Sequence, residues 1–416
     1  MTVRTFNGAS RLYSWASILE DKAREQLFEA ASMPFVWPHA AGMPDMHWGL
    51  GAPIGLVFPT LGAICPATVG VDIGCGMIAA ATTLTWAHLE ESGIVDMASL
   101  ADLRKDIERI IPMSKGNYNA VPFDSFTEAR ITSLEEKEGV KQADEITGNG
   151  TGNWRNQLGS LGGGNHFIEF CRDTQDRVWI FLHSGSRGVG NRLATRHIKV
   201  AQHLCRQWWI DLPNPDLAYL IEGSDEFWAY MRDLRWAQHF AMLNREEMIH
   251  RCRLALQDWY GDDVAFGEMI RCHHNYTEQM SPELLRHYRS FPKGHRGNVW
   301  LTRKGAISAR SGERGLIPGS MGAHSYVVTG KGNPLSLFSA PHGAGRMYGR
   351  RQAESLFSTE KLTEAMRGIE WSRQIADRLV DEIPYAYKDI HVVLADSSDL
   401  IEVTEELTQF INIKGE

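Results

Sequence analysis

The chain lacks the segments that would tie it to a membrane or to an oxidising compartment. Among its 416 residues, no apolar run reaches the ~18 residues that a membrane-spanning helix needs. The first twenty residues have neither the basic start nor the apolar core of a signal peptide. The six cysteines form no CxxC pair and no regular framework, so we expect reduced thiols rather than disulfides. These absences predict a soluble, cytoplasmic protein with no membrane partner.

Positive charge is also scarce overall, because the formal net charge is −8. Taken alone, this charge argues against a nucleic-acid partner, since phosphate binding depends on Lys and Arg. The basic residues are concentrated, however. Residues 296–351 hold nine of them, beginning with Arg296, and a single acid, Glu313. Such a segment attracts an anionic ligand, and the alternative is an ordinary solvated basic face.

The apolar patterning predicts a mixed α/β fold. Apolar residues at three- and four-residue steps predict helices over residues 226–259 and 361–380. The polar, glycine-dotted segment 124–156 is typical of a surface excursion rather than of a domain linker. Because no internal repeat is apparent, we expect one domain over residues 1–416. Runs rich in β-branched and aromatic residues predict strands at residues 166–170, 178–183, 298–303 and 325–330.

The chemistry-bearing residues are grouped in six short islands rich in glycine. Glycine lets a backbone approach a phosphate closely, while His, Cys and Asp offer donor atoms to a divalent transition metal. The islands therefore predict one polar site for metal and phosphate. They read GMPDMHWG (42–49), VGVDIGCGM (69–77), LGGGNHFIE (161–169), LHSGSRGVGN (182–191), CHHNY (272–276) and SAPHGAGRMYGR (339–350).

Four positions of these islands are candidate metal ligands on chemical grounds. Asp72 and Cys75 lie three residues apart in a glycine-rich turn, where both side chains can face one ion and the thiolate can bridge two. The alternative for Cys75 is a small buried apolar residue. His166 and His183 stand at the edges of predicted strands, beside glycine-rich backbone.

The CHHNY island adds one further candidate ligand. Only one of His273 and His274 faces the same site if the segment is extended, because successive side chains of a strand alternate. The pattern does not choose between the two histidines.

His342 lies within the basic segment, in the glycine-rich run PHGAG (341–345). Arg346 and Arg350 follow His342 by four and eight residues. A neutral imidazole can attack phosphorus, and arginines and metal ions stabilise the charge that develops. The alternative is a further metal ligand. Upstream, LIPGSMGAHS (316–325) offers hydroxyls and glycine amides to a nucleotide, although it lacks the Walker pattern of a P-loop.

The motifs VGVDIGCGM, GGGNHFIE, LHSGSRG, CHHNY, PGSMG and HGAGR together resemble the RtcB family of RNA-splicing ligases, in the family's order and approximate spacing. The resemblance covers nearly the whole chain. It implies a single large domain with a mixed sheet core, flanking helices and a central cleft for metal and nucleotide. It also implies a ligase that joins RNA 3′-phosphate or 2′,3′-cyclic phosphate ends to 5′-hydroxyl ends, in tRNA splicing or RNA repair. The expected intermediates are GMP–histidine and RNA(3′)pp(5′)G, and an archease-type protein is a candidate activator.

The resemblance also implies roles for individual residues. The cofactors are GTP and two Mn²⁺ ions, His342 is the guanylylated histidine, and Cys75 bridges the two ions. The implied metal ligands are Asp72, Cys75, His166, His183 and His274. Metal or phosphate binding is aided by Asp45, Arg187, Arg346 and Arg350. The implied nucleotide contacts are Asn165, His166, Phe167, Ile168, Glu169, His274, Asn275, Pro318, Gly319, Ser320, Met321, Ser325, His342, Gly343, Ala344, Gly345, Tyr387 and Lys414.

Two positions depart from the family pattern. Pro341 stands before His342 where well-known members have cysteine, and His324 stands where lysine can occur. Proline fixes its own φ and has no N–H, so we expect slower guanylylation. Two other classes fit part of the pattern: a metal-dependent phosphohydrolase, and a guanine-nucleotide- or RNA-binding paralogue without ligation activity. Hydrolysis does not require His342, which favours the ligase.

Overall fold

The computed structural model describes residues 12–114, 116–120, 122–288 and 297–415. Arg296 lies outside these ranges, as do residues 1–11, on which the expected absence of a signal peptide partly rests. Within the described ranges the strands are β1 Leu12–Ser14, β2 Ala40–His47, β3 Ile54–Leu61, β4 Ala63–Ile64, β5 Gly76–Thr85, β6 Phe167–Asp173, β7 Arg177–Ser184, β8 Leu220–Ile221, β9 Phe266–His273, β10 Asn275–Gln279, β11 Val299–Lys304, β12 Ala306–Ser308, β13 Arg314–Ile317, β14 Ser325–Gly330, β15 Ser339–Pro341, β16 Glu370–Trp371 and β17 Ile401–Lys414.

Helices alternate with these strands along the chain, which confirms the mixed α/β class. Short 3-10 helices cover Pro215–Leu217, Arg373–Ile375, Val380–Glu382 and Pro384–Ala386. The α-helices are α1 Asp21–Ser32, α2 Pro66–Val69, α3 Trp86–Glu91, α4 Met97–Ile110, α5 Ser125–Glu135, α6 Val140–Thr147, α7 Trp154–Gln157, α8 Arg187–Gln207, α9 Asp225–Tyr260, α10 Pro282–Leu285, α11 Arg350–Leu356, α12 Thr359–Ala365, α13 Ala376–Leu379 and α14 Ile390–Asp396.

The larger sheet has eight strands, in the order β13-β14-β17-β6-β7-β5-β9 with β16 beside β17. Its central strands are apolar on both faces because both faces are covered. On one face, Ile78, Ile180 and Leu182 pack with residues of α4 and α9. On the other face, Trp179 and Phe181 pack with residues of β13 and β14. The predicted strands at 166–170, 178–183 and 325–330 are confirmed by β6, β7 and β14.

The second sheet has five strands, in the order β1-β2-β3-β11-β10. β11 confirms the strand predicted at 298–303, and it runs antiparallel to both β3 and β10. β12 and β15 form a separate two-stranded sheet. Apolar residues of β2, β3 and β11 share one cluster with residues of β12 and β15, which brings the His342 segment against this sheet.

The helix predicted at 226–259 is confirmed by α9. The Ser224 hydroxyl accepts a hydrogen bond from the backbone N–H of Phe227 at its start. Gly261 adopts a left-handed φ of 85° just after its end. Buried residues recur along its 36 residues, so α9 forms a rigid support behind the larger sheet.

The continuous helix predicted at 361–380 is wrong. α12 ends at Ala365, and Gly368 adopts a left-handed φ of 85°. The next two residues of regular structure, β16, pair in parallel with the C-terminal strand β17. Tertiary pairing therefore overrides the helical period, and the chain continues through three short helices, the last of which ends at Glu382.

Segment 124–156, predicted to be a surface excursion, forms α5, α6 and α7. These helices contact α8 and α9. Ile131, Leu134, Ala143 and Trp154 are buried in the same cluster as residues of α8 and α9. The segment is thus a helical layer with an apolar inner face. In the part of the chain that the structure describes, no helix is both long and apolar enough to cross a membrane.

Candidate functional site

The predicted metal ligands meet at one edge of the larger sheet. Cys75 directly precedes β5, His166 directly precedes β6, and His183 is the penultimate residue of β7. His274 directly follows β9. These four strands are antiparallel neighbours in the order β6-β7-β5-β9. The beginnings of β5 and β6 and the ends of β7 and β9 therefore lie at the same edge.

Glycine at the islands permits this close approach. A Cβ atom on Gly185 would lie 2.2 Å from a carboxylate oxygen of Asp72. A Cβ atom on Gly345, which has a left-handed φ of 73°, would lie 2.1 Å from the carbonyl oxygen of Asp45. Both acids thus contact backbone that no other residue type could supply without displacement.

The side chains of the predicted ligands form one cluster around the Cys75 thiol, in which Asp72 is partly exposed and the other four are buried. Cys75 Sγ lies 3.3 Å from His166 Nε2 and 3.2 Å from His183 Nε2. On one side, His166 Nε2 lies 3.0 Å from a carboxylate oxygen of Asp72. On the other side, His183 Nε2 lies 2.8 Å from His274 Nε2. The donor atoms of Cys75, His166 and His183 lie within 4.8 Å of one another.

The hydrogen bonds of the ring nitrogens show that this cluster fits a cation. His183 Nδ1 is 3.0 Å from the carbonyl oxygen of Asn165, and His274 Nδ1 is 3.2 Å from the side-chain oxygen of Asn275. Both partners are acceptors, so each Nδ1 carries the proton. Burial holds the pKa of both histidines well below the usual value, so both rings are neutral. Two Nε2 lone pairs therefore face each other at 2.8 Å, an arrangement that a transition-metal ion stabilises.

The structure also chooses between the two histidines of CHHNY. His274 faces the cluster, whereas His273 contacts Arg245 and the carbonyl of Gly74 on the opposite side. Burial, followed by the Arg245 charge, lowers the pKa of His273 to about 3. His273 is therefore a neutral support for the turn that contains Asp72 and Cys75.

His342 lies beside the cluster, with its ring centroid 4.5 Å from that of His274. Its Nδ1–H donates to Asp45 Oδ2 at 2.7 Å, and its backbone N–H donates to the same oxygen at 3.2 Å. Asp45 thus fixes the ring orientation and leaves the Nε2 lone pair free to act as a nucleophile.

A lysine that the motifs did not indicate holds Asp45 in place. The Lys388 ammonium donates to the carbonyl oxygens of Pro44 and Met46, on either side of Asp45, and to that of Ile18. Burial lowers the pKa of Lys388 to about 8. No sequence signal pairs residue 388 with residues 18, 44 and 46, because these contacts are made to backbone carbonyls.

A cavity of about 580 Å³ opens above His342. It is lined by Arg346 and Arg350 and, among the predicted nucleotide contacts, by Asn165, Phe167, Glu169, Pro318, Gly319, Ser320, Met321, His342, Gly343, Ala344, Gly345, Tyr387 and Lys414. Most of the predicted nucleotide site is thereby brought to one wall.

Five predicted nucleotide contacts do not line this cavity, and one of the five, Ser325, contacts the lining residue Glu169. Ile168 packs into the apolar core on the other face of the sheet. His166 belongs to the metal cluster, and His274 and Asn275 line a separate cavity on the metal side. Ser325 is buried behind the wall, where its hydroxyl donates to Glu169 Oε2 at 3.2 Å.

Glu169 is a buried carboxyl group on this wall. Burial raises its pKa to about 8, against the opposing effects of Lys414 and of hydrogen bonds from Ser325 and Asn412. The Asn412 amide donates to its second oxygen at 3.0 Å. Both oxygens are thus oriented, and the group changes protonation near neutral pH.

The cationic groups of the cavity converge on Glu382, which the sequence did not indicate. Lys414 donates to one of its oxygens at 2.9 Å, and Arg346 and Arg350 contact the other. Although burial acts in the opposite direction, these three cations hold the pKa of Glu382 well below its usual range. The Tyr387 hydroxyl donates to it at 2.6 Å. Arg346 and Arg350, predicted to bind phosphate, are therefore already paired.

Arg187 lies at the start of α8, below the cluster. Its guanidinium donates to the Ser160 hydroxyl and to the carbonyl oxygen of Ser114. Burial lowers its pKa, against an opposing effect of Asp72. It is therefore near the metal side rather than on the wall of the larger cavity.

The fold and the site define a class: a mixed α/β protein with a buried Cys/His cluster that could hold a metal ion, beside a ligand-sized cavity. Comparison with known proteins makes this specific. The family model described as tRNA-splicing ligase RtcB matches residues 26–415, so the chain belongs to the RtcB family.

Three relatives show how evenly the likeness is spread. The chain is 42% identical to RNA-splicing ligase RtcB of Escherichia coli strain K12, with 99% of this chain and 98% of the relative aligned. It is 28% identical to tRNA-splicing ligase RtcB of Pyrobaculum aerophilum, over 92% and 90% of the two chains. It is 27% identical to RNA-splicing ligase RtcB of Mycobacterium tuberculosis, over 94% and 100%.

Proposed function

We propose that this protein joins RNA 3′-phosphate or 2′,3′-cyclic phosphate ends to 5′-hydroxyl ends, using GTP and Mn²⁺, in tRNA splicing or RNA repair. RNA ligation follows from membership of the RtcB family. The observation that carries the proposed route is the Asp45–His342 pair, 2.7 Å apart beneath the cavity. It provides an oriented nucleophile next to the candidate metal cluster.

The first step is attack of His342 Nε2 on the α-phosphorus of GTP. The new P–N bond forms as the bond from the α-phosphorus to the bridging oxygen breaks, and pyrophosphate leaves. The ring then carries a positive charge, and the Asp45 carboxylate at Nδ1–H stabilises it.

Two further transfers complete the reaction. An oxygen of the RNA 3′-phosphate attacks the phosphorus of the bound GMP, the P–N bond breaks, and RNA(3′)pp(5′)G forms. The 5′-hydroxyl of the second RNA then attacks the 3′-phosphorus, its proton passes to water, and the bond to the bridging oxygen breaks so that GMP leaves. A 2′,3′-cyclic phosphate is first opened by water to a 3′-phosphate.

We infer that Asp72, Cys75, His166, His183 and His274 would hold two divalent ions. Asp72 and His166 lie on one side of the Cys75 thiol, and His183 and His274 on the other, as the distances of 3.0 Å and 2.8 Å within each pair indicate. Bound divalent ions would neutralise phosphoryl oxygens and activate the attacking oxygen. The choice of Mn²⁺ rests on the family resemblance.

The cavity above His342 is assigned to GTP. Glu169, with both oxygens oriented by Ser325 and Asn412, offers an acceptor to the N–H groups of a purine base. The glycine-rich segment from His342 to Gly345 brings backbone close to the α-phosphate. Arg346 and Arg350 would face the outgoing pyrophosphate while paired with Glu382.

Residues from both sheets surround His342, which supports one ligase domain over residues 1–416. His183 lies in the larger sheet and Cys75, His166 and His274 adjoin its strands, whereas Asn275 begins β10 of the five-stranded sheet. The cysteines of the chain are free thiols, in keeping with the proposed cytoplasmic location. The archease-type activator stays a prediction from the resemblance.

Pro341 is accommodated by the fold. It ends β15, which pairs only with β12 in a two-stranded sheet of the described residues, and such edges tolerate proline. Slower guanylylation stays a prediction for this position, and the surroundings of His342 favour the active ligase over a binding-only paralogue.

The proposal is tested by incubating the protein with Mn²⁺ and α-³²P-labelled GTP, followed by denaturing electrophoresis. We expect a covalent label that is absent from His342→Ala and retained by His324→Ala, a half-exposed histidine paired with Glu406 outside the cavity. Release of labelled GDP without any covalent label, unchanged in His342→Ala, would instead support the phosphohydrolase.

A further inference from the structure

The metal cluster is reached from two sides. A second cavity, of about 300 Å³, extends from Cys75, His274 and His342 to Ile198 on the side of α8. It shares Ile54, Asn165 and His342 with the larger cavity. Because the larger cavity is assigned to the nucleotide, the second opening is free for the end of another substrate.

Helix α8 carries a row of basic side chains beside this opening. Arg192, Arg196, Lys199, His203 and Arg206 are exposed and follow one another at steps of four, three, four and three residues. This spacing places them on one face of the helix, over a length of ~21 Å. Ile198, which lines the second cavity, directly precedes Lys199.

Acidic groups compensate this row only in part. Arg196 lies 3.3 Å from Glu145, an exposed pair of little strength. Among the described residues no carboxylate forms an ion pair with Lys199 or Arg206. The chain as a whole carries a net charge of −8, so the row is a local exception that attracts a polyanion.

Two adjacent tryptophans lie at the C-terminal end of the row. Trp208 is 45% exposed and Trp209 is 93% exposed. Trp209 also has a left-handed φ of 56°, which residues with a Cβ atom rarely adopt. The Trp209 indole is therefore held in solvent. A ligand that stacks on this ring and buries it would gain binding free energy.

We propose that the basic row of α8 and Trp209 bind the single-stranded RNA whose 3′-phosphate end enters through the second opening. The backbone phosphates would contact Lys199 and Arg206, and a base several nucleotides from the end would stack on the Trp209 indole. A basic track with an aromatic platform is how proteins bind single strands without reading sequence. The inference rests on the proposed ligase function and assigns a surface that the reaction itself does not require.

The test measures RNA binding apart from ligation. Fluorescein-labelled, 3′-phosphorylated RNAs of twenty and four nucleotides are titrated with the full-length protein, without GTP, and followed by anisotropy. We compare the double variant Lys199→Ala, Arg206→Ala with the matched control Lys361→Ala, Arg367→Ala, which removes two exposed positive charges of the region around α12. All four positions are exposed, so the folds should be unaffected.

We expect the double variant to bind the long RNA more weakly and with a slope of log K against log salt reduced by about 1.4, or ~0.7 per lost phosphate contact. Trp209→Ala should weaken binding of the long RNA by roughly 5- to 100-fold, the range for loss of one stacked base, whereas Phe126→Ala, also an exposed aromatic, should not. The four-nucleotide RNA should bind all variants alike, because it does not reach the row.

Two outcomes would overturn the inference. One is equal affinity of the long RNA for wild type, the double variant and Trp209→Ala. The basic row would then be a solvated face or a protein-docking surface. The other is equal weakening by the control pair. Labelling by α-³²P-GTP should be the same in the double variant and in Trp209→Ala as in wild type. Absence of labelling in wild type would refute the proposed function. Labelling without any difference between the long and the short RNA would refute this RNA-binding surface alone.

Discussion

The two sides of the site are built on opposite electrostatic principles. On the proposed metal side, uncharged donor atoms of Cys75, His183 and His274 face one another. On the nucleotide side, Glu382 already pairs with Arg346, Arg350 and Lys414. The first side offers lone pairs that suit a cation, whereas the second pairs its own cations with a carboxylate.

This contrast has a consequence for stability. A cluster of facing lone pairs gains stability from a bound cation, because binding to the folded state alone shifts the unfolding equilibrium. A buried ion network needs no ligand to be stable. Loss of one member lowers the free energy of unfolding, because the remaining charges stay buried without a partner. Removing one group from each side shows whether stability there depends on a bound metal ion or on an internal ion network.

The first of two large effects of similar size is expected for Cys75→Ala on the metal side. Wild type should be stabilised by about 2.7 kcal/mol when Mn²⁺ is present at 100 times its dissociation constant. The variant should lose most of this gain, because Cys75 contacts both pairs of ligands. Thermal unfolding with and without Mn²⁺ measures the difference, and mass spectrometry of bound metal gives the stoichiometry. Cys205→Ala, a buried cysteine of α8, is the control, and equal Mn²⁺ stabilisation of both variants would contradict the shared-ligand assignment.

The next effect is expected for Glu382→Gln on the nucleotide side. Removing this charge leaves Arg346, Arg350 and Lys414 without their common partner, so we expect a loss of about 3 kcal/mol in the free energy of unfolding. Urea denaturation at pH 7 measures this loss. Glu402→Gln, at an exposed position of β17, should be nearly neutral. Full stability of Glu382→Gln would show that the network is not a folding element.

The same variant has a pH signature of known sign. The pKa of Glu382 is lowered in the folded protein, so its contribution is present above the unfolded pKa and is lost as pH falls through the folded value. Acid unfolding of Glu382→Gln should therefore depend less on pH below about 4 than that of wild type, where 4.3 is the usual Glu value.

A smaller effect of opposite sign is expected for Glu169→Gln. The pKa of Glu169 is raised to about 8, so the stability due to its protonated form is present at low pH and is lost as pH rises toward 8. Relative to wild type, the variant should gain stability between pH 5 and pH 8. It should also bind GTP more weakly, by roughly 5-fold for one lost hydrogen bond. Urea denaturation across this range and calorimetric titration with GTP measure the two effects.

An unchanged pH dependence in Glu169→Gln would mean that the carboxyl ionises normally in the folded protein. Gln409→Ala gives a useful comparison, because Gln409 contacts Asn412 on the same strand without contacting Glu169 directly. It should leave the pH dependence intact.

Much of the fold followed from local patterns. Strands 166–170, 178–183, 298–303 and 325–330 and the helix at 226–259 were predictable because their apolar residues repeat with the period of the element they form. The helix predicted at 361–380 failed because Gly368 and pairing with β17 outweighed that period. The helices of segment 124–156 were missed because their polar outer faces dominate its composition.

The site divides in the same way. Asp72, Cys75, His166, His183 and His342 could be named from the sequence because each lies in a glycine-rich island whose chemistry is local. Glu382 and Lys388 could not, because their partners are distant along the chain and several are backbone carbonyls. The predicted roles of these residues in catalysis await the measurements above.

The sequence by itself determined which donor atoms the protein offers, since ligand chemistry is a property of side chains and glycine marks where backbone can approach. Only the tertiary structure decided that His274 rather than His273 joins the cluster, that Arg346 and Arg350 are already paired, and that the metal centre opens on two sides. The reason is physical: strand register sets which side chains share a sheet edge, and burial sets which charges must be paired.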